Sequence, residues 1–209
     1  MTCRYSSVVD IASHWDTIYS TKHEEELSWF QREPTRSIDL IGDAPPCGAI
    51  VDIGAGTSTL VDSLIDSGWE HITLLDLAPS ALEATCCRLA DRCQEVELVT
   101  GDVTTWEPSR SFDVWHDRAV FHFLSGADRD RYVQLATSAI TIGGRLVMST
   151  FALDGPETCS GLPTQRYDTD ALAEMFADGF TVSHANREVH VTPWGSTQAF
   201  TWVVLTKVG

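Results

Sequence analysis

Apolar positions along this chain fall into short continuous runs separated by stretches with helical spacing. Ala49-Ile50-Val51-Asp52-Ile53 is an apolar run that ends at a glycine turn. From Thr57 to Ser67 the apolar positions Leu60, Val61, Leu64 and Ile65 keep a period near 3.6, so a helix is expected. Ile72 to Leu77 is a second strand, followed by a helix from Ser80 to Arg92 with Ser80 as N-cap and Glu83 at capping-box spacing. Val96-Glu97-Leu98-Val99 and Phe112-Asp113-Val114-Trp115-His116 are the third and fourth strands. Ala127 to Ile140 is helical, with Gly143-Gly144 as its stop, and Arg145 to Phe151 is the fifth strand. A helix at 168–177, capped by Asp168 or Thr169, precedes two final strands, Phe180–His190 and Gln198–Lys207. Before this series, residues 8–41 read as helical. Trp15, Ile18 and Tyr19 form one face, and Pro34 starts a second helix with Ile38, Leu40 and Ile41 as its apolar side.

Strands alternating with helices at this spacing predict an α/β, Rossmann-like, doubly wound sheet with helices on both faces. The last two strands have no helical spacer, so an antiparallel pair is expected at the edge. With 209 residues a single domain is expected. Residues 1–48 would form an N-terminal helical lid and 49–209 a ligand-binding core.

Composition narrows the partners. Hydrophobic residues are 43% and charged residues 21%, an ordinary globular balance that excludes a disordered or fibrous chain. Thirty acidic residues against 14 basic ones give a formal charge of −16, so nucleic acid and anionic membrane are not expected partners. The apolar runs are too short to span a bilayer, and no signal peptide is visible. A cytoplasmic protein is therefore expected, and the surplus acid fits a salt-adapted host. The six cysteines, 3, 47, 86, 87, 93 and 159, have no zinc-like spacing, so no metal site is expected. Reduced thiols are the expectation in that compartment.

Three successive strand-to-helix loops carry chemistry. Gly54-Ala55-Gly56 lets the backbone turn tightly and approach a ligand without a Cβ in the way. Asp76, 20 residues after Gly56, and the following Leu77 stand where an acid accepts from both hydroxyls of a ribose. Gly101-Asp102-Val103 offers a carboxylate and a backbone N–H to an adenine. All three loops lie at the C-terminal edge of the sheet, where open α/β sheets bind ligands. Each has a plainer reading, as tight turn, loop aspartate or cap. Asp52 would repel a pyrophosphate and suits a ligand with a positive amino group, and Thr59 replaces the third glycine of the dinucleotide fingerprint.

In order and spacing, Val51-Asp52-Ile53-Gly54-Ala55-Gly56-Thr57, Asp76, Gly101-Asp102 and Phe112-Asp113-Val114 resemble the motifs of class I S-adenosylmethionine-dependent methyltransferases. Gly143-Gly144-Arg145-Leu146-Val147 resembles that family's glycine-strand segment, with Ile142 in place of the usual proline. His14-Trp15-Asp16-x-x-Tyr19, Ser28-Trp29-Phe30-Gln31 and the run Trp115 to Leu124 are similar to a small bacterial branch. The first two also resemble lysine methyltransferases of the citrate-synthase and elongation-factor type. The resemblance implies a seven-stranded sheet, mostly parallel with a reversed last strand, and S-adenosylmethionine as cofactor. It implies that Gly54, Ala55 and Gly56 pass the methionine part, Asp52 favours its ammonium, and Asp76 and Leu77 hold the ribose. Gly101, Asp102 and Val103 would hold the adenine, and His116 and Asp117 would border the methyl and amino groups. Trp15, Tyr19 and Trp29 would close over the cofactor as a lid.

Candidate catalytic groups are His116, Asp117 and His122. Candidate substrate contacts are Arg118 (otherwise an ion pair with Asp117), Cys159, Tyr167, His190 and Trp194, each weighed against packing. Trp106 and Trp202 read as core. The expected activity is methyl transfer to a small molecule, with a protein lysine as the alternative acceptor. A nicotinamide-dependent oxidoreductase and a non-catalytic cofactor-binding subunit are the readings from other classes.

Overall fold

The computed structural model describes residues 8–42 and 44–209, which leaves Cys3 and Asp43 outside the described residues. Two helices, α1 (Val8–Thr21) and α2 (Thr35–Ile41), come first. The expected continuous helical stretch is broken between them by a single 3-10 turn, Glu24–Glu26, and an extended segment. The alternating part follows as β1 (Ala49–Ile53), α3 (Leu60–Asp66), β2 (His71–Asp76), α4 (Pro79–Leu89), β3 (Val96–Thr100) and β4 (Phe112–Arg118). It continues with α5 (Gly126–Ala139), β5 (Ile140–Phe151), a two-residue hairpin β6 (Thr158–Cys159) and β7 (Leu162–Pro163), and α6 (Thr169–Met175). The long pair β8 (Phe180–Val191) and β9 (Thr197–Lys207) ends the chain.

Seven strands form one sheet in the order β3-β2-β1-β4-β5-β9-β8. β3, β2, β1, β4 and β5 pair in parallel, and β9 runs antiparallel to both neighbours. This is the expected sheet with one reversed strand. Strand order reverses between β1 and β4, and the crevice outside their carboxyl ends is where such sheets take ligands.

Alternate residues of each strand feed two apolar layers. Val51, Trp115, Leu146 and Val203 pack with Tyr132, Phe121 and Phe176 on the α5–α6 side. Ile50, Leu74, Val114, Val147 and Trp202 pack with Leu60, Leu64 and Leu82 on the other. Burial on both faces explains why the central strands read as unbroken apolar runs. Trp202 is fully buried and Trp106 packs against the first layer, as expected.

Several local expectations are corrected. Ser80 does not cap α4. Pro79 is its first residue, and the Ser80 N–H donates to Asp16 Oδ1 of α1 at 3.0 Å while Ser80 Oγ donates to the Asp16 carbonyl at 3.2 Å. A carboxylate from another helix thus supplies the cap, which also lowers the Asp16 pKa. Gly143-Gly144 lies inside β5 rather than ending α5. Ile38 faces solvent, while Ile41 carries the burial of α2. Asp168 does cap α6, accepting the Ala171 N–H at 2.9 Å. The reduced-thiol expectation fails at Cys86 and Cys93, which form a disulfide. α4 ends at Leu89 and a 3-10 turn, entered through Ala90 at φ 53°, folds Cys93 back beside Cys86. Cys47, Cys87 and Cys159 are free. No described helix is long and apolar enough to cross a membrane.

Candidate active site

The glycine turn after β1 is held from β2. Gly54 and Ala55 donate their N–H groups to the Leu75 carbonyl, and Gly56 donates to Asp76 Oδ2 at 2.8 Å. Both glycines sit at positive φ, +65° and +53°. A Cβ at Gly54 would come within 2.1 Å of Val120 Cγ2, and one at Gly56 within 2.4 Å of Tyr19 Oη. Only glycine fits both positions, because backbone handedness and space agree.

Asp76 ends β2 almost fully buried. Its Oδ1 accepts the Ala78 N–H at 2.8 Å, so each oxygen holds one backbone donor and keeps further acceptor capacity. Burial raises its pKa to about 6, opposed by those N–H groups. Asp102 spends one oxygen on its own loop, accepting from Thr104 N and Oγ1 at 2.8 Å each. The cap reading of Asp102 is therefore realised, and the residue still faces the cavity described next.

A cavity of about 260 Å³ runs along the C-terminal edge of the sheet. Gly54, Asp76, Leu77, Gly101, Asp102 and Val103 line one end. Arg118, His122, Phe123, Phe151, Cys159 and Phe200 line the other. Trp15, Tyr19 and Trp29 line it from the N-terminal segment, with Trp15 edge-on to Trp29 at 5.8 Å and to Phe123 at 5.3 Å. A smaller cavity of about 50 Å³ adjoins it, with Asp52, Ala55 and His116 in its wall and Tyr19, Trp29, Gly54 and Arg118 shared.

His116 is locked rather than free. Its Nδ1 donates to Asp52 Oδ1 at 2.7 Å and its Nε2 faces Ser37 Oγ of α2 at 2.9 Å. Asp52 Oδ2 has no hydrogen-bond partner among the described residues. Ser37 was invisible to sequence reasoning because it lies 79 residues from His116.

Asp117 is turned away from both cavities. It is fully buried, its Oδ2 accepts the Tyr132 hydroxyl at 2.6 Å, and its Oδ1 accepts the Val120 N–H at 2.8 Å. Alternation along β4 sends Asp117 to the face opposite His116 and Arg118. This corrects its expected catalytic place: it holds the bend at Ala119, whose φ is 77°. Burial raises its pKa to about 6 against the pull of Tyr132. Arg118 consequently has no ion pair with Asp117.

His122 is fully buried and stacks on Phe151 at 4.5 Å. Its Nδ1 accepts the Phe151 N–H at 3.3 Å, which puts the proton of the neutral ring on Nε2. That Nε2 has no partner among the described residues. Burial pushes the pKa down to about 3, so the ring is a neutral donor, not the base expected from sequence. Burial likewise raises the Cys159 thiol to about 11, keeping it protonated at neutral pH.

Three expected substrate contacts do not line either cavity. Tyr167 is core, its ring tilted against Phe121 at 5.5 Å. Trp194 is 61% exposed at the β8–β9 turn. His190 is buried, its Nε2 donating to the Ser28 carbonyl at 2.8 Å, so it steadies the segment that carries Trp29. Burial lowers its pKa. Phe151 and Phe200, by contrast, went unnoticed in the sequence because a strand-end phenylalanine looks like any core residue.

A methyltransferase-domain family model matches residues 51–146. The matched segment, from β1 to the middle of β5, is similar to a methyltransferase domain. A zebrafish (Danio rerio) protein described as an eEF1A lysine and N-terminal methyltransferase is 24% identical over 146 residues, 68% of this chain but 21% of that protein. The chain thus spans about a fifth of that curated relative. Among solved structures, a Burkholderia thailandensis 1,6-didemethyltoxoflavin-N1-methyltransferase, with its namesake compound and S-adenosylhomocysteine bound, superposes at TM-score 0.73. It is 17% identical, and the match covers 100% of this chain and 94% of that one. A glycopeptide N-methyltransferase complexed with sinefungin superposes at TM-score 0.64 with 17% identity, covering 87% and 96% of the two chains. The methyltransferase domain's matched region ends before β8 and β9, so the far wall at Phe200 lies outside it.

Proposed function

We propose that the protein transfers a methyl group from S-adenosylmethionine to a small organic acceptor held in the larger cavity. The observation that carries this reading is the continuity of that cavity. It joins the ribose and adenine positions at Asp76 and Asp102 to an apolar end at Phe151 and Phe200. The donors fit the cofactor: Gly54 faces the cavity with backbone alone, and Asp76 in the same wall retains acceptor capacity. Asp76 would take the ribose hydroxyls, Asp102 and Val103 the adenine, and Asp52 Oδ2 the ammonium side.

When bound, S-adenosylmethionine supplies a methyl group on sulfur that already carries its own good leaving group. The protein's part is then positioning and exclusion of water. Trp15, Tyr19 and Trp29, from α1 and the segment that follows it, cover the cavity as a lid over the core. His122 offers an Nε2–H donor to the acceptor, and no group at the apolar end is a strong base at neutral pH.

A lysine side chain is the second reading, favoured by the zebrafish relative and by the charge of −16. The Arg118 cation in the cavity wall works against a cationic acceptor there. Incubation with labelled S-adenosylmethionine and cell extract, split into protein and small-molecule fractions, tests the proposal. Label in the small-molecule fraction supports it, and label confined to protein replaces it with the lysine reading. Binding of nicotinamide dinucleotide in place of S-adenosylhomocysteine, measured by calorimetry, would sink both.

A further inference from the structure

Arg118 is a cation without an ion pair among the described residues. It leaves β4 on the same face as His116 and lines both cavities. Its Nη1 donates to the Trp29 carbonyl at 2.8 Å, while its Nη2 is shielded from solvent and has no hydrogen-bond partner among the described residues. No described carboxylate forms an ion pair with it. Asp117 faces Tyr132 instead, Asp52 is engaged by His116, and Glu188 accepts the Trp202 indole N–H at 2.5 Å. Glu188 and Asp52 act on Arg118 only at longer range, and burial lowers its pKa. The Phe200 ring lies 5.9 Å from the guanidinium carbon and excludes water from that side.

A half-buried guanidinium with one unpartnered nitrogen is unfavourable, and arginine keeps its proton rather than neutralise. The arrangement is therefore incomplete until something in the cavity brings an anion. A cationic sulfonium in the same cavity sharpens the need, since two cations in a low-dielectric pocket repel. Arginine's planar fork matches a carboxylate with two parallel donors. The His122 Nε2–H, also without a partner, lines the same end of the cavity.

We propose that Arg118, seated against Phe200, anchors a carboxylate of the acceptor, so that the substrate is a small carboxylic acid with an apolar body. This rests on the methyltransferase reading given above. The carboxylate is the handle that orients the acceptor.

Calorimetry on the whole chain tests the anchor, with benzoate and phenylacetate as probes and their amides as neutral counterparts, after saturation with S-adenosylhomocysteine. At least one acid is expected to bind about tenfold tighter than its amide. Arg118→Met is expected to remove that preference while holding S-adenosylhomocysteine affinity within about threefold. Absence of acid binding, or equal binding of acid and amide, overturns the proposal. So does an Arg118→Met variant that keeps the preference. A variant that loses S-adenosylhomocysteine but retains 5′-methylthioadenosine, which lacks the amino-acid part, also overturns it, because the anchored carboxylate is then the cofactor's own. The acid–amide comparison on the unmodified chain decides the matter should the variant fail to fold. Failure of the unmodified chain to bind S-adenosylhomocysteine overturns the cofactor reading instead.

Discussion

The backbone N–H of Gly56 donates to Oδ2 of Asp76 across 2.8 Å, joining the glycine turn after β1 to the end of β2. One carboxylate therefore shapes the turn and is also the proposed ribose acceptor. Its pKa of about 6 makes both roles sensitive to pH. Ribose hydroxyls donate to the ionised form, so S-adenosylhomocysteine affinity should fall as pH drops through about 6, by up to about tenfold per unit. Calorimetry across pH 5 to 8 checks this, and Asp76→Asn should bind weakly with no such slope. The ligand-free sign is opposite. A folded pKa above the unfolded value means this group's contribution to stability is full below about 4 and is lost as pH rises through about 6.

Gly54→Ala meets two obstacles, a φ of +65° and Val120 Cγ2 at 2.1 Å. The backbone conformation alone costs about 1–2 kcal/mol. Thermal melting should show at least that loss, together with loss of S-adenosylhomocysteine binding. Adding Val120→Ala should recover part of the melting temperature, the part due to contact. No recovery would show that strain at Gly54 accounts for the whole effect.

Tyr132→Phe separates structure from chemistry at β4. The Tyr132 hydroxyl donates to Asp117 and accepts the Trp115 indole N–H at 2.9 Å. Its removal leaves a buried donor unpaired and should cost about 1–3 kcal/mol in denaturant unfolding. S-adenosylhomocysteine affinity should be unchanged, because Asp117 lines neither cavity. A strong loss of affinity at unchanged stability would return Asp117 to the site.

Cys93→Ala opens a disulfide between cysteines seven residues apart. Chain entropy for so short a loop predicts a loss of about 2 kcal/mol. Cofactor-product binding should survive, since the start of α4 is held independently by Asp16 and Ser80. Reduction of the unmodified chain should shift its melting temperature by the same amount as the variant.

Trp29→Ala keeps the carbonyl that Arg118 uses but removes the ring set against Trp15 and Tyr19. S-adenosylhomocysteine should leave roughly tenfold faster, about 1.4 kcal/mol, with little change in melting. Stopped-flow displacement measures the rate. Collapse of melting with an unchanged rate would make Trp29 a packing residue.

Features fixed by local pattern were legible in advance. The order of strands and helices follows from runs and periods, and the reversed final pair from the missing spacer. The glycine turn, Asp76 and Asp102 follow from position at strand ends, because every strand of a parallel sheet delivers its carboxyl end to the same edge. Only the tertiary structure decided what those ends do next. Asp117 and Arg118 are adjacent in sequence, yet strand alternation sends one to Tyr132 and the other to the cavity. Ser80 looked like a cap until Asp16, 64 residues earlier, took its N–H. His122 looked like a base until burial against Phe151 made it neutral. Propensity and spacing act within a few residues, whereas desolvation and the absence of a partner depend on every element packed around a group. The sequence alone determined which groups reach the edge of the sheet; the packing of α1, α2, β8 and β9 decided which of them are left without a partner.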